Sequence, residues 1–166
     1  MDYQTRKPNR LPDYDYSQNG AYFITICTKD SKCILSHIVE DTTVGATFGR
    51  PKIILTKIGE IIEDEIKRLN TVYCGTKVDK YVIMPNHIHI IISIDIENGR
   101  PKVAPTVSRI IQQFKGAVTK KAQKPIWQKG FHDHVIRSGE DYLTRWQYID
   151  ENPRKWLIGK DEYYRL

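Results

Sequence analysis

The order of hydrophobic and polar residues along the chain predicts an alternation of strands and helices. Residues 21–28 (AYFITICT) are rich in β-branched and aromatic side chains and predict a strand. In residues 55–69 the apolar side chains recur at 3.6-residue spacing between charged ones, which predicts an amphipathic helix. A second helix is expected from Thr106, just after Pro105, with its apolar face between Val107 and Val118.

Further strands are expected on either side of this second helix. Residues 78–84 and 87–94 each predict a strand before it, and residues 131–137 predict one after it. A third helix is expected to open at Ser138, with Asp141 as its capping-box partner. It should close near Asn152, because the following proline disfavours α-helical geometry in the residue before it.

The predicted order, β-α-β-β-α-β-α, is typical of an α+β fold with a largely antiparallel sheet. The 166 residues fit a single domain, 1–166. Within it, residues 1–20 are expected to be an irregular basic lead-in and residues 154–166 a C-terminal tail.

Two segments are expected to be loops, residues 39–53 and residues 97–105, and both contain the letters GRPK. Basic turns are the simpler interpretation of this repeat. Contact with phosphate is the alternative, and it would fall to Arg50, Lys52, Arg100 or Lys102.

The charge of the chain points to polyanions. Lysine and arginine number 26 against 20 acidic residues, a net charge of +6. Such an excess attracts nucleic acid more often than any other partner. The polar side of the second helix carries bases and no acids, so it is the first candidate for a phosphate-binding surface. The candidate DNA-binding residues are Arg109, Lys115, Lys120, Lys121, His134 and Arg137.

Several classes of protein are disfavoured. The N-terminal segment has charges and prolines without an apolar core, unlike a signal peptide. The apolar stretch at residues 88–94 is too short to span a bilayer, so no membrane partner is expected. Three cysteines without a CxxC spacing indicate reduced thiols and a cytoplasmic protein, with neither a disulfide framework nor a zinc finger.

The strand at residues 87–94 carries the first candidate chemistry. Side chains alternate between the two faces of a strand, and the even positions here are all isoleucine. His87 and His89 therefore project side by side from the opposite face. This is how a strand can present two imidazole ligands to one metal ion, and a purely structural pair of histidines is the alternative.

The third helix carries the second candidate. Tyr148 and Asn152 are four residues apart and should share one helix face. A phenol beside an amide oxygen can be a nucleophile next to a metal ligand, or Tyr148 can be a half-buried rim residue. The apolar residues expected to face the core are Tyr142, Leu143, Trp146 and Ile149.

A second His-x-His pair, His132 and His134, leaves further interpretations open. With His87 and His89 it could build a four-histidine hydrolytic metal site, or it could lie at a rim or face DNA. His37 has no partner pattern and is expected on the surface.

Three segments in this order, YVIMPNHIHIII, WQKGFHDHVIR and YIDENPRKW, resemble the single-tyrosine HUH transposases, most closely the REP-associated tyrosine transposase branch. The opening RKPNRLPDYDYSQNGAYFITICT is similar to the same family's N-terminus, so the resemblance covers most of the chain. It implies a ferredoxin-like, RRM-like sheet with packed helices. It also implies that His87 and His89 are metal ligands and that Tyr148 is the nucleophile. Asn152 stands where insertion-sequence relatives have a glutamine, and would be the third ligand of Mg²⁺ or Mn²⁺.

The resemblance further implies an activity and a substrate. The activity is metal-dependent cleavage and rejoining of single-stranded DNA by transesterification, near hairpin-forming repeats and through a 5′-phosphotyrosine intermediate. One nucleophilic tyrosine must serve both steps, or two protomers must cooperate, so a homodimer is an open possibility. The alternatives are a non-cleaving domesticated hairpin-DNA-binding protein and a four-histidine zinc phosphoesterase.

Overall fold

The structure is a computed structural model and describes residues 14, 18–40, 51–95 and 106–159. The strands and α-helices in these ranges are, in chain order, β1 (Gly20–Cys27), β2 (Ser36–Glu40), β3 (Pro51–Leu55), α1 (Lys57–Val72), β4 (Thr76–Ile83), β5 (His87–Ile94), α2 (Val107–Ala122), β6 (His132–Ile136) and α3 (Gly139–Leu157).

Four of the strands form one antiparallel sheet in the order β4-β5-β1-β6. With α1 and α2, these strands follow the chain order βαββαβ of the ferredoxin-like fold. The predicted α+β class with an antiparallel sheet is therefore confirmed. Helix α3 is added after this unit, and β2 and β3 are inserted between β1 and α1.

The sheet is covered on both faces, and β5 is buried along nearly its whole length. The even residues of β5 pack in one core with Ile62 and Ile66 of α1 and with Ile111 and Phe114 of α2. The other face packs in a second cluster that includes Phe23 and Ile91 of the sheet and Ile149 of α3. This second layer places α3 over the two histidines of β5.

Polar contacts hold α3 against the edge of the sheet. The Lys80 ammonium on β4 lies 2.6 Å from a carboxylate oxygen of Asp150 and 4.1 Å from the ring centroid of Trp146. Ser138 caps the helix by accepting a hydrogen bond from the Asp141 backbone N–H at 3.1 Å.

The segment 39–53, expected to be a loop, was wrongly predicted at both ends. Residues 39–40 belong to β2 and residues 51–53 to β3, and the two strands pair antiparallel with Ile38 opposite Ile53. Both isoleucines pack against the second cluster, the one that includes Ile149 of α3, and this burial stabilises the two strands. The strands are too short to be recognised from sequence beside a Gly/Thr-rich segment. Lys52 lies exposed on β3, whereas Arg50, Arg100 and Lys102 lie outside the described residues.

The third helix was predicted to end near Asn152, before a tail at 154–166, but it continues through Pro153 to Leu157. Proline removes one helical N–H bond at this point. The turn that follows nevertheless carries Trp156 into the apolar cluster beneath the helix, and this burial opposes the cost. Leu143, expected to face the core, is instead 67% exposed, because the buried stripe follows Tyr142, Trp146 and Ile149.

Other sequence expectations fall partly outside the described ranges. Of the lead-in, Tyr14 is half-buried and packs edge-on against Tyr22, whereas residues 1–13 and 15–17 are not described. The three cysteines are free thiols, and His37 is exposed on β2, as predicted. No helix in the described ranges is both long and apolar enough to cross a membrane.

Candidate active site

His87 and His89 lie side by side on the face of β5 that α3 covers. Both residues are almost completely buried, and their ring centroids are 4.6 Å apart. The Asn86 Oδ1 atom lies 2.7 Å from His87 Nδ1, and the Thr25 hydroxyl lies 2.8 Å from His89 Nδ1. These neighbours engage the same ring nitrogen of each histidine and so fix the orientation of both rings.

Burial keeps both imidazoles uncharged. Desolvation lowers the pKa of His87 to about 3, against a smaller raising effect from a hydrogen bond with Asn152. Desolvation also lowers the pKa of His89 well below its ordinary value, and the neighbouring His87 adds to this. Neutral imidazole is the form that binds a metal ion, so the pair is a competent donor set at neutral pH.

Helix α3 brings Tyr148 to these histidines. The Tyr148 ring centroid lies 5.2 Å from that of His89 and 5.9 Å from that of Phe23, with edge-to-face geometry in both pairs. The Lys155 ammonium, two turns later on the helix, lies 5.2 Å from the Tyr148 ring centroid. The phenol is therefore packed between one of the candidate ligands, an aromatic side chain and a cation.

Asn152 lies one turn after Tyr148 on the same side of α3 and is fully buried. Asn152 contacts His87, and Tyr148 contacts His89. Two residues one turn apart on α3 therefore each meet one of the two histidines. The structure thus gathers four residues that the sequence places on two distant segments. Two neutral imidazoles and one amide oxygen fit a divalent cation as a partial ligand set that leaves positions for water and phosphate.

A cavity of about 350 Å³ opens beside Tyr148 and includes residues that the sequence did not single out for chemistry. Its described lining consists of Phe23, Thr25, His89, His132, Asp133, His134, Arg145 and Tyr148. Just behind the lining, Asp141 bonds both His134 and Arg145, at 2.7 Å and 3.2 Å. Asp141, Arg145 and Tyr148 are spaced 4 and then 3 residues apart on one helix. This spacing is the sequence signal that could have shown that their side chains share one face of α3.

The second His-x-His pair does not join the first in one metal cluster. Within the described ranges, no group of three or more His, Cys, Asp and Glu side chains is close enough to hold a metal ion. His134 instead contacts the Asp141 carboxylate, and His132 is exposed at the cavity wall. This geometry does not favour the four-histidine zinc site.

Most of the candidate DNA-binding residues lie away from this cavity. Helix α2 packs on the opposite face of the sheet, so Arg109, Lys115, Lys120 and Lys121 are in the other layer. The Lys115 ammonium donates to the Gln128 carbonyl at 2.8 Å, and the Lys121 ammonium pairs with the buried Glu65 at 2.6 Å. The other candidates lie nearer the tyrosine, with His134 in the cavity wall and Arg137 exposed just after β6.

Comparison with known proteins relates the chain to transposases. No protein-family model matches it. It is 30% identical over 180 residues to an uncharacterized protein of Haemophilus influenzae, covering 96% of this chain and 93% of that protein. It is 24% identical over 156 residues to a second Haemophilus influenzae protein, named "Putative REP-associated tyrosine transposase", covering 85% of this chain and 74% of that protein.

The fold has a solved counterpart. A REP-associated tyrosine transposase, whose structure was determined bound to a REP hairpin, superposes with a TM-score of 0.61 at 20% sequence identity. The match covers 89% of this chain and 74% of that one. Sequence similarity over most of the chain and a shared fold therefore agree: the chain is similar in sequence to a protein named as a REP-associated tyrosine transposase, and it has the fold of another.

Proposed function

We propose that this protein is a metal-dependent single-stranded DNA transesterase of the HUH single-tyrosine class, which cleaves and rejoins DNA near hairpin-forming repeats. The observation that carries this proposal is the convergence of Tyr148 and Asn152 of α3 on His87 and His89 of β5. A buried pair of neutral imidazoles has little structural purpose beside a phenol, whereas it suits a metal-assisted nucleophilic site.

His87, His89 and Asn152 would hold the cation, Mg²⁺ or Mn²⁺. When bound, a divalent cation supplies Lewis-acid polarisation of the scissile phosphate. Thr25 and Asn86 hold the two imidazole rings in place through their Nδ1 atoms, so the ligands are oriented before any cation arrives.

Tyr148 would act as the nucleophile. Its phenolic oxygen forms a bond to the phosphorus of the DNA strand, and the bond between phosphorus and the 3′ oxygen breaks. The phenol loses its proton to solvent and the departing 3′ oxygen gains one, which leaves a 5′-phosphotyrosine and a free 3′-hydroxyl. A phenol is mostly protonated at neutral pH. A cation on the same helix, the Lys155 ammonium, lies 5.2 Å from the centroid of the Tyr148 ring.

Strand joining follows as the reverse reaction with a different 3′-hydroxyl. The phosphotyrosine ester conserves the energy of the broken bond, so rejoining requires no nucleotide cofactor. Because one nucleophilic tyrosine is proposed, either Tyr148 serves both steps or two protomers cooperate as a homodimer.

The proposed substrate is a hairpin with single-stranded flanks. The related solved structure is bound to a REP hairpin, and the net charge of +6 suits a DNA partner. The basic residues of α2 lie across the sheet from Tyr148, so they would hold a different part of the DNA from the scissile phosphate.

A covalent-capture experiment tests this proposal. The protein is incubated with hairpin-bearing single strands from its own genomic neighbourhood and Mn²⁺, and denaturing gels are searched for a protein–DNA conjugate. We expect a conjugate from the wild type, none from Tyr148→Phe, and an undiminished one from Tyr142→Phe, a matched tyrosine that packs against Trp146 on the same helix. DNA binding without any conjugate would instead support a non-cleaving hairpin-binding protein.

A further inference from the structure

Arg145 lies one helical turn before Tyr148, and both side chains line the same cavity. Residues three apart on a helix share a face, with Cβ atoms roughly 5–6 Å apart. The Arg145 guanidinium carbon lies 5.6 Å from the ring centroid of Phe23, and this ring also meets Tyr148 edge-to-face. The Phe23 ring therefore contacts both the Arg145 guanidinium and the Tyr148 ring.

Asp141 fixes the guanidinium in this position. The Arg145 Nε–H donates to one carboxylate oxygen at 3.2 Å, and His134 Nε2 lies 2.7 Å from the other. Burial raises the pKa of Asp141, but hydrogen bonds from His134 and Arg145 outweigh it and hold this pKa below its ordinary value. The carboxylate is therefore ionised at neutral pH and accepts from both partners.

Arg145 keeps donors for a second acceptor. A guanidinium carries five N–H groups in a planar fork, and Asp141 engages the Nε–H. Arginine remains charged at any relevant pH, and its fork matches the geometry of phosphate oxygens. The side chain is one-third exposed, so it is held in place but open to the cavity.

We propose that Arg145 binds a non-bridging oxygen of the DNA phosphate that Tyr148 attacks, and that Asp141 and His134 are the positioning residues that hold it there. The inference rests on the proposed function, because it concerns the same phosphate. A phosphate within bonding distance of the Tyr148 hydroxyl lies within reach of a long cationic side chain one turn earlier. The cavity wall also carries the Asp133 carboxylate, which repels an anion, and the fixed Arg145 cation offsets this repulsion.

The test measures how fast the covalent conjugate forms under single-turnover conditions. Arg145→Ala should slow it by about a hundredfold or more, the usual effect of losing one preorganised donor to a transition-state oxyanion. Arg145→Lys should recover part of the rate. Arg68→Ala is the matched control, because that guanidinium also pairs with a carboxylate on its own helix, that of Glu65, but on α1 across the sheet.

A modified substrate separates phosphate binding from a structural role. Replacing the scissile phosphate by a methylphosphonate removes the charged oxygen, so the rates of the wild type and Arg145→Ala should then differ by only about threefold or less. Affinity for the hairpin, measured by fluorescence anisotropy in a Tyr148→Phe background, should change much less than the rate. If Arg145→Ala does not fold, the same comparison with Arg145→Lys decides.

Two results would overturn the inference while the proposed function stands. One is a wild-type conjugate with an unimpaired Arg145→Ala rate. The other is a rate ratio between the two proteins that is the same on phosphate and methylphosphonate DNA. A wild type that forms no conjugate on any hairpin defeats the proposed function and this inference together.

Discussion

The rings of His89 and Tyr148 meet edge-to-face at an angle of 71°, although one lies on the central strand β5 and the other on the last helix. This contact depends on α3 crossing the sheet over the histidine face, since neither residue is near the other in the chain. It joins a candidate metal ligand to a candidate nucleophile.

Metal binding should stabilise the folded protein. At a Mn²⁺ concentration a hundred times the Kd, the gain is about 2.7 kcal/mol, which corresponds to an increase in Tm of roughly 5–10 °C for a domain of this size. Thermal unfolding with and without Mn²⁺ measures the shift, and a chelator should reverse it.

The matched variants for the metal experiment are histidine substitutions. A double variant, His87→Gln with His89→Gln, should lose the Mn²⁺-dependent increase in Tm, whereas His37→Gln, at an exposed position on β2, should retain it. An equal Mn²⁺ shift in the double variant would show that the cation binds elsewhere.

Acid should destabilise the metal-free protein through the same two histidines. Their folded-state pKa values are lowered, to about 3 for His87, so below about pH 6.5 the unfolded chain binds protons that the folded protein does not. Stability is therefore fully present above that pH and falls as the pH decreases toward 3. Each histidine contributes a slope of up to about 1.4 kcal/mol per pH unit.

Urea unfolding between pH 7 and pH 5, in the presence of a chelator, measures this slope. The range lies above the carboxylate pKa values, so the buried histidines should dominate it. The slope should decrease in the His87→Gln, His89→Gln double variant and stay unchanged in His37→Gln. A double variant as acid-sensitive as the wild type would contradict the assignment.

Two glycines in the helices should respond oppositely to alanine. A Cβ atom at Gly59, in the first turn of α1, would lie 2.2 Å from the Leu35 carbonyl oxygen, so Gly59→Ala should destabilise the fold by about 2–3 kcal/mol. A Cβ atom at Gly116, in the middle of α2, meets nothing within 4 Å. Gly116→Ala should therefore stabilise by about 0.5–1 kcal/mol.

Chemical denaturation of the two alanine variants gives both values. A Gly59→Ala variant as stable as the wild type would contradict the close contact between the α1 backbone and the Leu35 carbonyl. Helices α1 and α2 pack on the face of the sheet opposite Tyr148, so neither variant needs an activity measurement.

Local periodicity made the main sheet predictable. The alternation of isoleucines in β5 fixed which face carries His87 and His89, because a strand has only two faces. The helical spacing likewise fixed that Tyr148 and Asn152 share a side of α3. These inferences required no knowledge of distant contacts.

Features that depend on tertiary contacts were not predictable. The helix continues past Pro153 because the half-buried Trp156 packs against the apolar cluster under α3. This is a tertiary contact that local sequence rules do not predict. The β2–β3 hairpin depends on Ile38 and Ile53 packing there as well. The Asp141 contact with His134 needs β6 beside α3, which residue spacing alone does not show.

Mass spectrometry of the trapped conjugate identifies the residue that carries the DNA. After nuclease and protease digestion, we expect a nucleotide adduct on the peptide that contains Tyr148, with fragmentation placing the added phosphate on the Tyr148 side chain. An adduct on another residue, or DNA cleaved in the presence of Mn²⁺ with no adduct and equally well by Tyr148→Phe, would contradict this expectation.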